Sequence, residues 1–200
     1  QRDSAIALLS ALDPDVKKQL GNHHLFLPDI YLLLGRNFRA KCAYLQAIDY
    51  HEKSRAQYLE LLGPTDKRLA SVYANAGGLY LHLGMTDRGL DYLQKARQLL
   101  DQRHPFMPGI YNSMGIGYLD RGAYDQALEY LQKALALRLE LVGPNHLDVT
   151  LEYNNIGIAY QKSGANDRAL EYYQKALTLR LELSGLSDPE VANGHHNIGN

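Results

Sequence analysis

Internal repetition is the feature that most constrains how this chain can fold. Residues 126–141 read QALEYLQKALALRLEL and residues 168–183 read RALEYYQKALTLRLEL, so that 13 of 16 aligned positions are identical at an offset of 42. Self-similarity at a fixed period of this length is typical of repeat proteins, in which each unit buries its apolar face only against its neighbours. The sequence therefore predicts an array of similar structural units.

Small and aromatic residues recur in register with this period. Five anchor glycines follow one another at spacings of 42, 38, 42 and 42: Gly35, Gly77, Gly115, Gly157 and Gly199. Three positions after the first four anchors stands an aromatic residue: Phe38, Tyr80, Tyr118 or Tyr160. Seven positions after them the residues are Cys42, Gly84, Gly122 and Gly164, and twelve positions after them are Ala47, Gly89, Ala127 and Ala169. Nineteen positions after them the residues are Ser54, Ala96, Ala134 and Ala176.

These columns predict two antiparallel helices in each repeat and no strands. In the third repeat, Ala127, Leu131, Ala134 and Leu135 form one apolar stripe at helical spacing. Small residues let the partner helix approach closely. Glycine at the seventh position after the anchor tolerates the left-handed backbone that ends a helix. The predicted fold class is all-α, a solenoid of antiparallel helix hairpins.

The spacing also predicts the domain organisation. Residues 1–21 are expected to be the end of a preceding repeat with a connector, and the chain is expected to stop inside a fifth repeat, so we expect a piece of a longer protein. The repeats between these ends are predicted at residues 22–64, 65–105, 106–146 and 147–187, with residues 188–200 as the first helix of the fifth. The first repeat is divergent, because Cys42, His51 and Ser54 replace the residues of the later copies.

The columns resemble the tetratricopeptide repeat over residues 22–200. The fourth copy carries the hallmark order as Ile156-Gly157, Tyr160, Gly164, Ala169, Tyr173 and Ala176. The usual tetratricopeptide unit has about 34 residues. The longer period here, together with Asn-Asn-Ile-Gly at 154–157, resembles the kinesin-light-chain subfamily. Similar long arrays occur in bacterial proteins ahead of a caspase-like protease of the CHAT type or a signalling domain. The resemblance implies a right-handed superhelix that binds protein and does not catalyse a reaction.

The resemblance also implies where a partner would bind, namely a concave groove lined by the first helix of each repeat. The residues expected at this groove are Arg36, Arg39, Asn75, Asn112, Ser113, Asn154, Asn155, Lys162, His196 and Asn197. Asp29 and Asp120 are expected to oppose the basic residues, and the first repeat supplies Leu32 and Leu33 in place of asparagine. An asparagine amide can pair with a peptide backbone whatever the side chains of that peptide are. Each asparagine could instead bond across to the next repeat.

Composition narrows the classes of partner. The chain carries 21 basic and 22 acidic residues, a net charge of −1, so it lacks the basic excess expected of a nucleic-acid or anionic-membrane binder. No stretch approaches the roughly 18 apolar residues that span a bilayer. A single cysteine, Cys42, forms no intrachain disulfide and favours a reducing, cytoplasmic setting. The histidine pairs 23–24 and 195–196 point apart on a helix, and no phosphate loop is present, so we expect neither metal nor cofactor.

Three functions agree with these features. The first is a scaffold that holds an extended peptide or partner segment, which is either a separate protein or another domain of the same longer chain. The second is a regulatory array fused to an enzyme. The third is a receptor for a signalling peptide, for which Arg36 and Arg39 supply positive charge.

Overall fold

The computed structural model describes residues 4, 6–11, 14, 18, 24–185, 188, 191 and 194. Within these residues, the regular secondary structure is entirely helical and contains no strand. The chain divides into two compact units, Gln1–Gln102 and Arg103–Asn200. Each unit contains two helical hairpins that pack against one another. The predicted all-α class, built from antiparallel hairpins, is confirmed.

The first unit is built on four helices. They are α1 (Phe26–Ala40), α2 (Tyr44–Leu62), α3 (Arg68–His82) and α4 (Thr86–Gln98). α1 pairs with α2, α3 pairs with α4, and α2 joins the two hairpins by packing on α3. The residues at 6–11 are also helical, and Ile6 and Leu9 cover the apolar cluster of α1 that includes Leu27 and Leu34.

The second unit repeats this plan. Its helices are α5 (Met107–Asp120), α6 (Tyr124–Val142), α7 (Leu147–Lys162) and α8 (Asn166–Ser184). The core between its hairpins contains Leu131 and Tyr173 from the second helices and Ile156 and Tyr160 from α7. In each unit the first helices of the two hairpins, α1 with α3 and α5 with α7, also touch.

The anchor glycines are explained by close packing within each hairpin. A β-carbon on Gly115 would lie 2.6 Å from Cγ of Leu131, and one on Gly157 would lie 2.5 Å from Cε1 of Tyr173. In each of the four repeats, the side chain that fills this space belongs to the residue sixteen positions after the anchor glycine. In the first repeat this residue is His51, which lies opposite Gly35. The anchor column is therefore the surface on which the second helix lies against the first.

The turns within the hairpins use the left-handed backbone that the sequence predicts. Gly84, Gly122 and Gly164 have φ of +74°, +72° and +84°. Cys42 occupies the same position in the first hairpin with φ of +59°, and it is the one non-glycine residue with a positive φ in the described part of the chain. Its amide still donates to the carbonyl of Arg39 at 2.9 Å, so the turn closes as it does in the later copies.

The second helices differ in length. α2, α6 and α8 have 19 residues each, whereas α4 has 13. The single spacing of 38 residues between anchors falls at the repeat that contains α4. The longer period of the other repeats therefore resides in their second helices.

Candidate binding face

The predicted groove asparagines of the second unit lie on neighbouring first helices. Asn155 on α7 donates through Nδ2 to Oδ1 of Asn112 on α5 at 2.8 Å. Both side chains are half-buried, as is Ser113 beside Asn112. This bond fixes α5 and α7 in register, and it realises for this pair the cross-repeat bond that the sequence left open as the alternative to ligand binding.

Next to this bond, the side-chain oxygen of Asn154 has no partner in the described part of the chain. This atom, Oδ1, is buried, although the residue as a whole is half-exposed. A buried polar atom without a partner costs about 1–3 kcal/mol. Rotation about Cβ–Cγ exchanges the oxygen and the nitrogen of the amide, so that Asn154 can offer either an acceptor or a donor to a ligand.

In the first unit, the equivalent asparagine has a different hydrogen-bond partner. Asn75 occupies the position of Asn155 in its repeat, but it donates to the carbonyl of Ser71 on its own helix at 2.7 Å. The position on α1 that corresponds to Asn112 is Leu32, which has no side-chain acceptor. The cross-repeat bond of the second unit therefore has no counterpart in the first.

Positive charge is exposed on the last turns of α1. Arg36 and Arg39 are exposed on one face of the helix and form no ion pair with any residue that the structure describes. Asp29, which the sequence places opposite them, instead accepts a hydrogen bond from the hydroxyl of Tyr58 on α2. The face of α1 therefore carries two cations that no described carboxylate neutralises.

Two further predicted charges lie at the ends of the first helices of the second unit. Lys162 ends α7 and Asp120 ends α5, at equivalent positions of their repeats, and both side chains are exposed. Because Lys162 and Asp120 carry opposite charges, together they add no net charge to this end of the face. The remaining predicted groove residues, His196 and Asn197, lie outside the described residues.

The divergent residues of the first repeat are buried. Ser54 fits the alanine column because its hydroxyl donates to the carbonyl of Pro28 at 2.8 Å. His51 is fully buried, and neither ring nitrogen has a hydrogen-bond partner among the described residues. Burial, with smaller contributions from the positive charges of Arg36 and Arg39, lowers the pKa of His51 to about 4.

A carboxylate that the sequence analysis missed joins the hairpins of the first unit. Glu52 on α2 accepts hydrogen bonds from Tyr92 at 2.6 Å, from Tyr80 at 3.0 Å and from Arg55 at 2.8 Å. Burial opposes its ionisation, but the hydrogen bonds from Tyr92, Arg55 and Tyr80 together outweigh that effect and lower the pKa of Glu52. The available signal was that this column holds glutamine in the later repeats, at 94, 132 and 174.

Other kinds of site are absent from the described residues. Among them, no three histidine, cysteine, aspartate or glutamate side chains converge as ligands for a metal ion. Cys42 is an exposed free thiol. No helix in the described part of the chain is both long and apolar enough to cross a bilayer.

The stacked hairpins with glycine anchors define a helical repeat protein. The family model described as Tetratricopeptide repeat matches residues 26–102 and 106–182. The chain therefore belongs to the tetratricopeptide repeat family, whose repeats typically form binding scaffolds and not catalytic centres. A search of curated proteins finds no significant match.

Solved structures share the fold at low sequence identity. The crystal structure of BtubC (BKLC) from P. vanneervenii has a TM-score of 0.80 at 21% identity, covering 100% of this chain and 82% of that one. The nearly identical repeats of a putative kinesin light chain from Podosopora anserina give 0.73 at 20% identity, covering 91% and 88%. MamA gives 0.62 at 23% identity, covering 90% of each chain. The resemblance to kinesin-light-chain-like repeats is thus confirmed at the level of the fold.

Proposed function

We propose that this chain is a protein-interaction scaffold whose first helices bind an extended peptide or partner segment. Membership of the tetratricopeptide repeat family supports an interaction scaffold in general. The single observation that carries the finer proposal is the side-chain oxygen of Asn154, which has no hydrogen-bond partner among the described residues and lies beside the Asn155–Asn112 bond. An extended peptide presents backbone N–H and C=O groups that match this amide.

The asparagines have separate roles in this proposal. Asn155 and Asn112 share one hydrogen bond that holds the two helices in register, so that they form the floor of the binding face. Asn154 is the residue that contacts the ligand backbone. The proposed face of the second unit therefore depends on the amide of Asn154, supported by the hydrogen-bonded pair Asn155 and Asn112.

Charge supports the class of partner. Arg36 and Arg39 expose two guanidinium groups on the first-helix face of the first unit, without a described ion-pair partner. A segment that carries carboxylates would complement them. The partner is either a separate polypeptide or another domain of the same longer chain. We also propose a cytoplasmic location, because the lone Cys42 thiol suits a reducing compartment.

Selection and affinity measurement test this proposal. Peptides are selected from a random display library against the whole chain, and their Kd values are measured by fluorescence polarisation for the wild type, Asn154→Ala and Asn145→Ala. Loss of one ligand hydrogen bond worth about 0.5–1.5 kcal/mol weakens binding about 2- to 10-fold in Asn154→Ala. The control Asn145 is exposed on the α6–α7 loop, and its variant should bind as the wild type does. Equal affinity of all three proteins would contradict the proposal.

A further inference from the structure

In the second unit, the guanidinium group of Arg138 contacts two carboxylates at the interface where α6 packs on α7. Arg138 on α6 lies 3.2 Å from Oδ2 of Asp148 through Nη1 and 3.4 Å from Oε1 of Glu152 through Nη2. Asp148 is partly exposed, but the side chain of Glu152 is only 2% exposed. The contact to the buried carboxylate is the longer one, and it exceeds the roughly 2.7–2.9 Å of a strong charge-assisted hydrogen bond.

Both members of the buried pair keep an unsatisfied atom. Oε2 of Glu152 and Nε of Arg138 are buried and have no hydrogen-bond partner among the described residues. An ionised carboxylate needs donors on both oxygens to offset its lost hydration. Glu152 has one long contact to a guanidinium group that it shares with Asp148, so its negative charge is poorly compensated.

Among the described residues, the other elements around Glu152 bring no further cation to it. α5 carries no charged residue before Asp120 at its last position. On α8, Arg180 is already held by Asp188 at 3.0 Å and by the hydroxyl of Thr150 at 3.3 Å. His146, which precedes α7, uses Nδ1 to accept from the amide of Asp148 at 3.1 Å.

The charge of this cluster balances when Glu152 carries a proton. Arg138 then pairs with Asp148 alone, as one cation with one anion. Burial raises the pKa of Glu152 to about 7, the attraction of Arg138 offsets only part of that rise, and Asp148 adds to it. Glu52 in the first unit shows the opposite outcome, because three donors keep it ionised.

We propose that Arg138, Asp148 and Glu152 form a proton-linked joint between the α5–α6 and α7–α8 hairpins, which binds one proton on Glu152 and loosens when that proton leaves. Asn155 lies three residues beyond Glu152 on α7 and bonds to Asn112 on α5. A shift of α7 against α6 would therefore change the geometry of the hydrogen bond between Asn155 and Asn112. The joint itself does not depend on peptide binding.

The direction of the pH effect follows from proton linkage. In the folded chain Glu152 keeps its proton up to a pH near 7, whereas in the unfolded chain it loses the proton near its ordinary value of 4.5. Between these values the folded state binds more protons than the unfolded state, so its stability falls as the pH rises. Glu152→Gln is the permanently neutral equivalent and should lack this dependence.

Carboxyl-carbon NMR on the whole chain tests the joint. The Glu152 signal, assigned by its absence in Glu152→Gln, should titrate with a midpoint near 7. It should persist unchanged in Glu140→Gln, which alters an exposed carboxylate on α6. Asp148→Asn leaves Arg138 to Glu152 alone and should move the midpoint down. A Glu152 midpoint in the ordinary range of about 4–5, or a midpoint that Asp148→Asn does not lower, would overturn the proposal.

The amide side chains of Asn112 and Asn155 supply the second readout. Their proton and nitrogen shifts should change with the same midpoint as Glu152 in the wild type, and they should not change across that range in Glu152→Gln. Shifts that stay constant in the wild type would mean that protonation does not move α7, and the joint would be refuted even if Glu152 titrates as expected.

Discussion

The hydroxyl of Tyr92 on α4 donates to Oε1 of Glu52 on α2 at 2.6 Å, and so ties the second hairpin of the first unit to the first. Tyr80 on α3 donates to the same oxygen at 3.0 Å, while Arg55 donates to the other oxygen at 2.8 Å. Neutral glutamine in the same column of the later repeats could not accept on both of its terminal atoms. The charge of Glu52 is therefore the reason that three donors meet there.

Replacing Glu52 by glutamine should destabilise the first unit. Hydrogen bonds to a charged group contribute about 1.5–3 kcal/mol, and the amide nitrogen of glutamine would face a donor. Because the pKa of Glu52 is lowered in the folded chain, its contribution is complete above the ordinary pKa of 4.5 and is lost as the pH falls through the lower folded value. Urea unfolding at pH 7 should show the full difference between the wild type and Glu52→Gln, and the difference should shrink below pH 4. Tyr92→Phe should give a smaller loss, and a Glu52→Gln variant as stable as the wild type at pH 7 would refute this role.

Two glycines of α5 should respond oppositely to alanine. In Gly115→Ala the new β-carbon would meet Leu131 at 2.6–2.7 Å, and overpacking of this kind costs about 1–3 kcal/mol. In Gly109→Ala it would meet nothing within 4 Å, and the better helix propensity of alanine should stabilise the chain by about 0.5–1 kcal/mol. Thermal and urea unfolding of both variants measure the difference. A Gly115→Ala variant at least as stable as Gly109→Ala would contradict the packing role of the anchor column.

Replacing His51 by leucine should stabilise the first unit. Leucine fills the same position opposite the anchor glycine in the second and third repeats, and it removes two buried nitrogens that have no partner among the residues described. His51 has its pKa lowered from 6.5 to about 4, so the unfolded chain takes up a proton between these values that the folded chain does not. Stability should therefore fall as the pH drops from 6.5 towards 4, by on the order of 2–3 kcal/mol. His51→Leu should lack this component in urea unfolding followed from pH 8 to pH 4.5, and an advantage that does not grow on acidification would disprove it.

The adjacent asparagines Asn154 and Asn155 should differ in stability when each is replaced by alanine. Asn155→Ala breaks the bond to Asn112 and should cost about 0.5–1.5 kcal/mol. Asn154→Ala removes a buried oxygen that no described residue hydrogen-bonds, and it should be neutral or slightly stabilising. Differential scanning calorimetry on the two variants checks the contrast. If Asn154→Ala is the more destabilising of the two, then its amide is structural and the proposed binding role fails with it.

The sequence predicted the hairpins well because their constraints are local and repeated. Gly115 and Leu131 are sixteen residues apart, and the same pairing of columns recurs in four copies. The left-handed turns at Gly84, Gly122 and Gly164 follow from the chemistry of glycine alone. Such features need no knowledge of the neighbouring repeat.

The parts of the face that escaped prediction depend on what the neighbouring repeat presents. Asn75 and Asn155 hold the same position in their repeats, but only Asn155 bonds to a side chain of the preceding first helix, because that helix has Asn112 where α1 has Leu32. Residue polarity predicts that Glu152 is exposed and that Leu151 is buried, but Glu152 is 2% exposed and Leu151 is 51% exposed. Hydrophobicity alone would reverse these two residues, whereas the repeat register explains their order, because Glu152 occupies the column of the buried Ile30, Val72 and Ile110.

Because α6 and α8 are equal in length, the third and fourth repeats both span 42 residues from one anchor glycine to the next. Both helices have 19 residues and end at a glycine with nearly the same backbone, φ of +77° at Gly143 and +73° at Gly185. A block of 42 residues copied from this region would rejoin the chain without a change of phase, so that gene duplication or deliberate engineering could lengthen the array one hairpin at a time. The second repeat, with its shorter α4, spans only 38 residues between anchors. A 42-residue block copied from it would therefore leave the following hairpin four residues out of register.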